Sequence, residues 1–116
     1  MEHRIFDTTV ASVYPLYQAK LERKGRTREE LDAVTTWLTG FDDDALATRL
    51  TGGATFREFF DDARLPDEVE LITGVVCGVR VETIEDPLMQ KIRYLDKLVD
   101  ELARGKALEK VLRSAS

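Results

Sequence analysis

Helix starts and stops recur along this chain at short intervals, and they restrict it to a packed set of short helices. Thr27-Arg28-Glu29-Glu30 and Thr55-Phe56-Arg57-Glu58 are capping boxes, in which the Thr oxygen and the Glu carboxylate each take a backbone N–H that the first helical turn leaves unpaired. Asp86-Pro87 is a third start signal, with an N-cap followed by the one helical position that tolerates proline. Gly25, Gly40 and Gly105 follow apolar periodic segments and suit helix ends.

Between these marks the apolar spacing is helical. A first helix is expected from near Ser12 to Gly25, with Val10, Val13, Tyr14, Tyr17 and Leu21 on one face and Pro15 in its first turn. A second carries Leu31, Val34 and Leu38, with Trp37 beside them, and ends at Gly40. Asp42, Asp43 and Asp44 open a third, short helix with Leu46 and Leu50, broken at Thr51-Gly52-Gly53. The second capping box opens a helix that turns Phe56, Phe59 and Phe60 inward and ends by Leu65-Pro66. The longest helix runs from Pro87 to Arg104, with an apolar seam of Leu88, Ile92, Leu95, Val99 and Leu102. A final short helix carries Ala107, Leu108, Val111 and Leu112.

Residues 69–84 give mixed signals. Ile72, Val75, Val76 and Val79 fit a helix, whereas Val79-Arg80-Val81-Glu82 alternates like a strand. Gly74 and Gly78 each lower helix propensity by about 1 kcal/mol relative to Ala. The length, and the lack of a hairpin dipeptide such as Asn-Gly, favour a buried helix. The expected fold class is therefore all-α, a single domain over residues 1–116 built as a compact bundle of five or six helices. The alternative is α+β with a short strand within 75–82.

Composition narrows the function classes. At 116 residues, 43% hydrophobic and 34% charged, the chain has enough apolar surface for one core. The net charge of −5 disfavours a protein that coats nucleic acid. The longest stretch without charge, residues 8–19, is too short to span a membrane, and the N-terminus has no signal-peptide pattern. The expected location is cytoplasmic. One cysteine, Cys77, and one histidine, His3, do not make a Cys/His zinc site, so neither metal nor cofactor is expected. Three adjacent aspartates lack the alternate spacing of a calcium loop and read as helix-capping charge. No nucleotide loop, nucleophile elbow or zincin motif is present, so no catalytic residue is assigned.

Several features remain as candidates. Residues 41–70 hold nine acids and three bases, net −6, while residues 20–30 hold five bases and three acids, net +2. Lys20, Arg23, Lys24, Arg26 and Arg28 form this basic corner, a weak candidate for phosphate contact. Cys77 reads as a buried, inert residue. Gly74 and Gly78, four apart, would make a flat strip on a helix, which suits packing against another helix of the same chain and, as the alternative, a subunit contact in a homodimer. Arg80, Arg93 and Tyr94 are candidate ligands for a small anion, in a cleft between the glycine-containing segment and the long helix. Surface pairing of Arg93 with Asp96 and of Lys97 with Glu101 competes with that role. The leading function reading is a non-catalytic interaction module, with a homodimer as one form of it; a small-molecule enzyme or anion-binding protein is the alternative, and nucleic-acid binding through the basic corner a weaker one.

Four blocks resemble a known family. They are Tyr14-Pro15-Leu16-Tyr17 with residues 22–27, Trp37-Leu38-Thr39-Gly40, residues 72–82, and residues 84–89 continuing through 92–98 and 100–103. Together they resemble the small bacterial family catalogued as domain of unknown function 2200. The resemblance spans nearly the whole chain and implies a bacterial cytosolic protein, with no activity, cofactor or site residue attached.

Overall fold

The computed structural model describes residues 4–113; His3 lies outside them. Among the described residues there are six α-helices: α1 Val10–Glu22, α2 Arg28–Thr39, α3 Asp43–Thr51, α4 Phe56–Asp61, α5 Pro87–Ala103 and α6 Leu108–Val111. One two-stranded antiparallel sheet, β1 Val75–Val76 and β2 Val79–Arg80, lies between α4 and α5. Short 3₁₀ turns cover Arg4–Asp7, Asp67–Leu71 and Val81–Thr83.

Both capping boxes form with both of their reciprocal hydrogen bonds. Asp86 caps α5 by accepting from the N–H groups of Leu88 and Met89 at 2.9 and 3.1 Å. Asp42 does the same for α3, accepting from Ala45 N at 2.7 Å. Gly40 ends α2 in the left-handed region at φ 77°, and a Cβ there would stand 2.8 Å from the Arg64 carbonyl oxygen. Glycine is thus required twice over, for its backbone angle and for the loop that crosses it.

The first helix begins two residues before Ser12. Thr9 and Thr55 form an isolated antiparallel bridge, and Val10 N–H donates to Ala54 O at 2.9 Å. That tertiary bond satisfies a donor at the helix start, a function the local sequence does not supply. Pro15 therefore sits inside α1 rather than in its first turn.

The helix expected over residues 69–84 is absent. In its place stand a 3₁₀ turn, the β1–β2 hairpin and a second 3₁₀ turn, so the alternative of a strand within 75–82 is what forms, as two strands. The turn residues Cys77 and Gly78 both have positive φ, 52° and 80°, which is the requirement of the tight hairpin turn usually filled by Asn-Gly. The hairpin leans on α5. Lys97 Nζ donates to Val75 O at 3.3 Å, and Gln90 Nε2 donates to Val81 O at 3.0 Å.

α5 is the centre of the molecule and packs against α1, α2, α4, α6 and the hairpin. Ile92, Leu95, Leu98, Val99 and Leu102 are all buried in a single core cluster that extends from Phe6 to Val111. Full burial of one such side chain is worth about 1.5–3 kcal/mol. The apolar seam of the long helix is thereby consumed within the monomer.

Candidate functional site

A groove of about 430 Å³ opens where α1, α5 and the hairpin meet. This lies within the usual range for small-molecule sites. From α1 come Val13, Leu16, Tyr17 and Lys20, followed by Arg23 at its C-cap. These positions recur at steps of three and four and so share one face of the helix. α5 supplies Ile92, Arg93, Asp96 and Val99, again one face, and the hairpin supplies Val76 and Cys77. Ile5 completes the wall.

The middle of the groove is a closed polar group. Tyr17 Oη donates to Asp96 Oδ1 at 2.5 Å, and Arg93 Nη1 donates to Asp96 Oδ2 at 2.7 Å. Cys77 Sγ lies 4.0 Å from the same Oδ2. Burial, reinforced by the neighbouring Asp96 charge and its hydrogen bond, raises the Tyr17 phenol well above its ordinary value. For Arg93 burial pulls downward, but the hydrogen bond and charge of Asp96 outweigh it and the guanidinium is raised. Both oxygens of Asp96 are therefore engaged, and Arg93 carries its own counter-charge.

Toward the C-terminal end of α1 the balance changes. Lys20 Nζ is 3.4 Å from Asp100 Oδ1. Arg23 donates to the Ala19 carbonyl at 3.3 Å and forms no ion pair among the described residues. Three cations thus line the groove, with the Asp96 carboxylate among them and Asp100 beside Lys20, on a chain whose net charge is −5.

The expected site residues are only partly brought together. Arg93 lines the groove. Arg80 does not; it lies on the outside of the hairpin, 63% exposed, with Nη1 3.9 Å from Glu82 Oε2. Glu82 is the hairpin's fastener, accepting from Gly74 N at 3.1 Å, and that bond leads the lowering of its carboxyl pKa. Tyr94 is 8% exposed and packs in the core, its phenol raised by burial and then by Glu70. Gly74 and Gly78 share no helix face, because their φ values of 106° and 80° belong to the hairpin; the flat helical strip proposed for a subunit contact does not exist.

Two further readings are revised. Cys77 is exposed on the groove wall rather than buried. Lys97 turns to Val75 O, while Glu101 pairs with Arg113 at 2.6 Å and with Lys106 at 3.7 Å. In the basic corner, Arg26 and Arg28 pair with Glu30 and Asp32 at 2.6 and 2.8 Å and Lys20 lies 3.4 Å from Asp100, while Arg23 and Lys24 form no ion pair among the described residues. Among the described residues no group of three or more His, Cys, Asp or Glu is placed to hold a metal ion, and no helix is long and apolar enough to cross a membrane.

The family model described as an uncharacterized protein conserved in bacteria, domain of unknown function 2200, matches residues 4–113. The chain belongs to this family. The crystal structure of an uncharacterized protein, SP1917, is similar to it with a TM-score of 0.90 and 45% sequence identity, over 97% of this chain and 93% of that one. No curated protein matches the chain. The family and the crystal structure share the fold with this chain, and neither description names an activity.

The groove draws on residues from three of the blocks by which the family was recognised. Tyr17 belongs to the first, Val76 and Cys77 to the third, and Ile92, Arg93 and Asp96 to the fourth. In the sequence Tyr17 belongs to an apolar helix face, Asp96 to a surface pair, and Lys20 and Arg23 to a basic corner. What joins them is the packing of α1 on α5, for which no local signal exists.

Proposed function

We propose that this protein binds a small organic anion in the groove between α1, α5 and the hairpin. The observation that carries the reading is a local excess of positive charge: of Lys20, Arg23 and Arg93, Asp100 offsets the first and Asp96 the last, which leaves Arg23 without a carboxylate in a concave and largely apolar site of an acidic protein. Such a site concentrates anions that the rest of the surface repels. The protein acts as a binding module rather than a catalyst in this reading, since Asp96 is saturated by Tyr17 and Arg93 and no free base stands beside Cys77. We place it in the cytoplasm, where a lone exposed thiol such as Cys77 stays reduced.

Thermal unfolding in the presence of single small carboxylates tests the proposal. A ligand at 100 times its Kd adds about 2.7 kcal/mol to stability. Arg23→Ala and Arg93→Ala should each reduce that gain. An unfolding temperature unmoved by every carboxylate tried would contradict the reading.

Self-association is a second reading, favoured by one observation. Leu71, Val75 and Val79 leave apolar side chains exposed on and just before the hairpin. Light scattering coupled to size-exclusion chromatography decides it, and a monomer at high micromolar concentration would reject it.

A further inference from the structure

We infer that the groove's ligand is a monoanion on an unbranched aliphatic chain, with its anionic group at Arg23 and Lys20 and its chain running toward Val13 and Ile92. The inference rests on the reading that the groove binds an organic anion, and it adds the ligand's class and direction.

Direction follows from paired contacts. Tyr17 meets Asp96 and Lys20 meets Asp100, so the two helices advance together along the groove. Val13 and Ile92 therefore mark one end, and Lys20 and Arg23 the other. Ten residues of helix separate Val13 from Arg23, about 15 Å along the axis. The site is elongated, apolar at one end and cationic at the other.

The number of charges follows from what is already neutralised. Arg93 is held by Asp96, and Lys20 has Asp100 at 3.4 Å. Arg23 alone among the groove cations lacks a carboxylate partner among the described residues. A second anionic group placed mid-groove would find Arg93 already neutralised by Asp96 and no free cation to meet it.

The body of the ligand follows from the donors. Tyr17 donates its one hydroxyl proton to Asp96 in a hydrogen bond, Arg93 Nη1 donates likewise, and the walls away from Arg93 are Val13, Leu16, Val76, Ile92 and Val99, with Ile5 and Cys77 beside them. A polyhydroxylated ligand would lose its water contacts there without replacement, at a cost for each unpaired group. An alkyl chain loses nothing and gains burial. Free carboxylates and anionic lipids share this chemistry, and the vesicle arm of the test separates them.

Calorimetric titration of the full chain with butyrate, hexanoate and octanoate is the test, with octylamine and anionic phosphatidylglycerol vesicles as separate arms. Each added pair of methylenes should tighten binding about tenfold. Octylamine should not bind. Arg23→Ala, at an exposed helix end, should weaken octanoate at least tenfold, and Leu16→Asp, at a position 65% exposed, should do the same by placing charge along the chain. In the unmodified protein, octanoate should slow alkylation of Cys77 by iodoacetamide, a readout that needs no variant.

Equal affinity for butyrate and octanoate, binding of octylamine as tight as octanoate, or an unchanged Kd in Arg23→Ala would overturn the inference while leaving the anion reading in place. Binding to vesicles without binding to octanoate would overturn it too. No heat and no Cys77 protection with any of the anions would remove both.

Discussion

The long helix α5 and the segment before it, residues 72–84, are neighbours of similar apolar content, yet they are specified in different ways. α5 carries its own instructions. Asp86 caps it, Pro87 opens it, its seam faces one way, and Gly105 follows it at φ 96°. Residues 72–84 carry no such set. Their hairpin turns on Cys77 and Gly78, only Val76 is buried between Gly74 and Arg80, and the backbone is held by Lys97 and Gln90 of α5. One element organises the core; the other takes its shape from that element. The groove forms where the two meet α1.

Substitutions that separate these roles should differ in size. Leu98→Ala, in the buried face of α5, should cost about 2–5 kcal/mol in urea unfolding, from lost burial and the cavity left behind. Val76→Ala should cost well under half as much, because it removes less from a two-stranded element at the edge of the core. Equal costs would end the distinction between organiser and follower.

Gly78→Ala reads the conformation of the segment directly. In a helix the change would stabilise by about 1 kcal/mol. At φ 80° in the hairpin turn it should destabilise by about 1–2 kcal/mol. The sign of the change in the unfolding midpoint therefore decides between helix and hairpin.

Cys77→Asn acts on the same turn in the opposite direction. Asn tolerates the left-handed region that Cys77 occupies at φ 52°, and Asn-Gly is the preferred pair for this turn. A gain of about 0.5–1 kcal/mol is expected. A loss would mean that the thiol's position beside Asp96 contributes more than the strain costs.

Under ordinary conditions the smallest effect is that of pH. Tyr17 is held protonated well above its usual value of 10.0 by burial and Asp96, and Tyr14 and Tyr94 shift in the same direction. The folded state thus favours the neutral phenols. Their contribution is complete below the unfolded value of 10.0 and is lost as pH rises beyond it, when the unfolded chain releases protons that the folded chain keeps. Urea midpoints should be level up to about pH 9 and fall by about pH 11, with a shallower fall in Tyr17→Phe. A midpoint that rises over this interval would reverse the assigned direction.

These contrasts explain what the sequence discloses. Thr27, Thr55 and Asp86 act on N–H groups two or three residues away, so their helices are legible from short stretches of chain. The start of α1 is not, because Val10 N–H is paired with Ala54, far along the chain. The hairpin escapes notice because its turn uses Cys77-Gly78, a pair with no strong turn signature, and because its strands are only two residues each. Of the groove, Arg93 is visible as an anion ligand and Lys20 and Arg23 as parts of a basic corner, and the pairing of Arg93 with Asp96 follows from helical spacing. Tyr17 and Arg23 join them only through the contact of α1 with α5, and Tyr94, one residue from Arg93, points into the core instead.

The central claim is that the groove where α1, α5 and the hairpin meet is the ligand site. Amide and methyl chemical-shift mapping during titration with octanoate addresses it most directly. The largest shifts are expected at Leu16, Tyr17, Val76, Cys77, Ile92 and Val99, with Leu46 and Thr55 on other elements unmoved. Shifts centred on α3 and α4, or an unchanged spectrum at saturating octanoate, would contradict it.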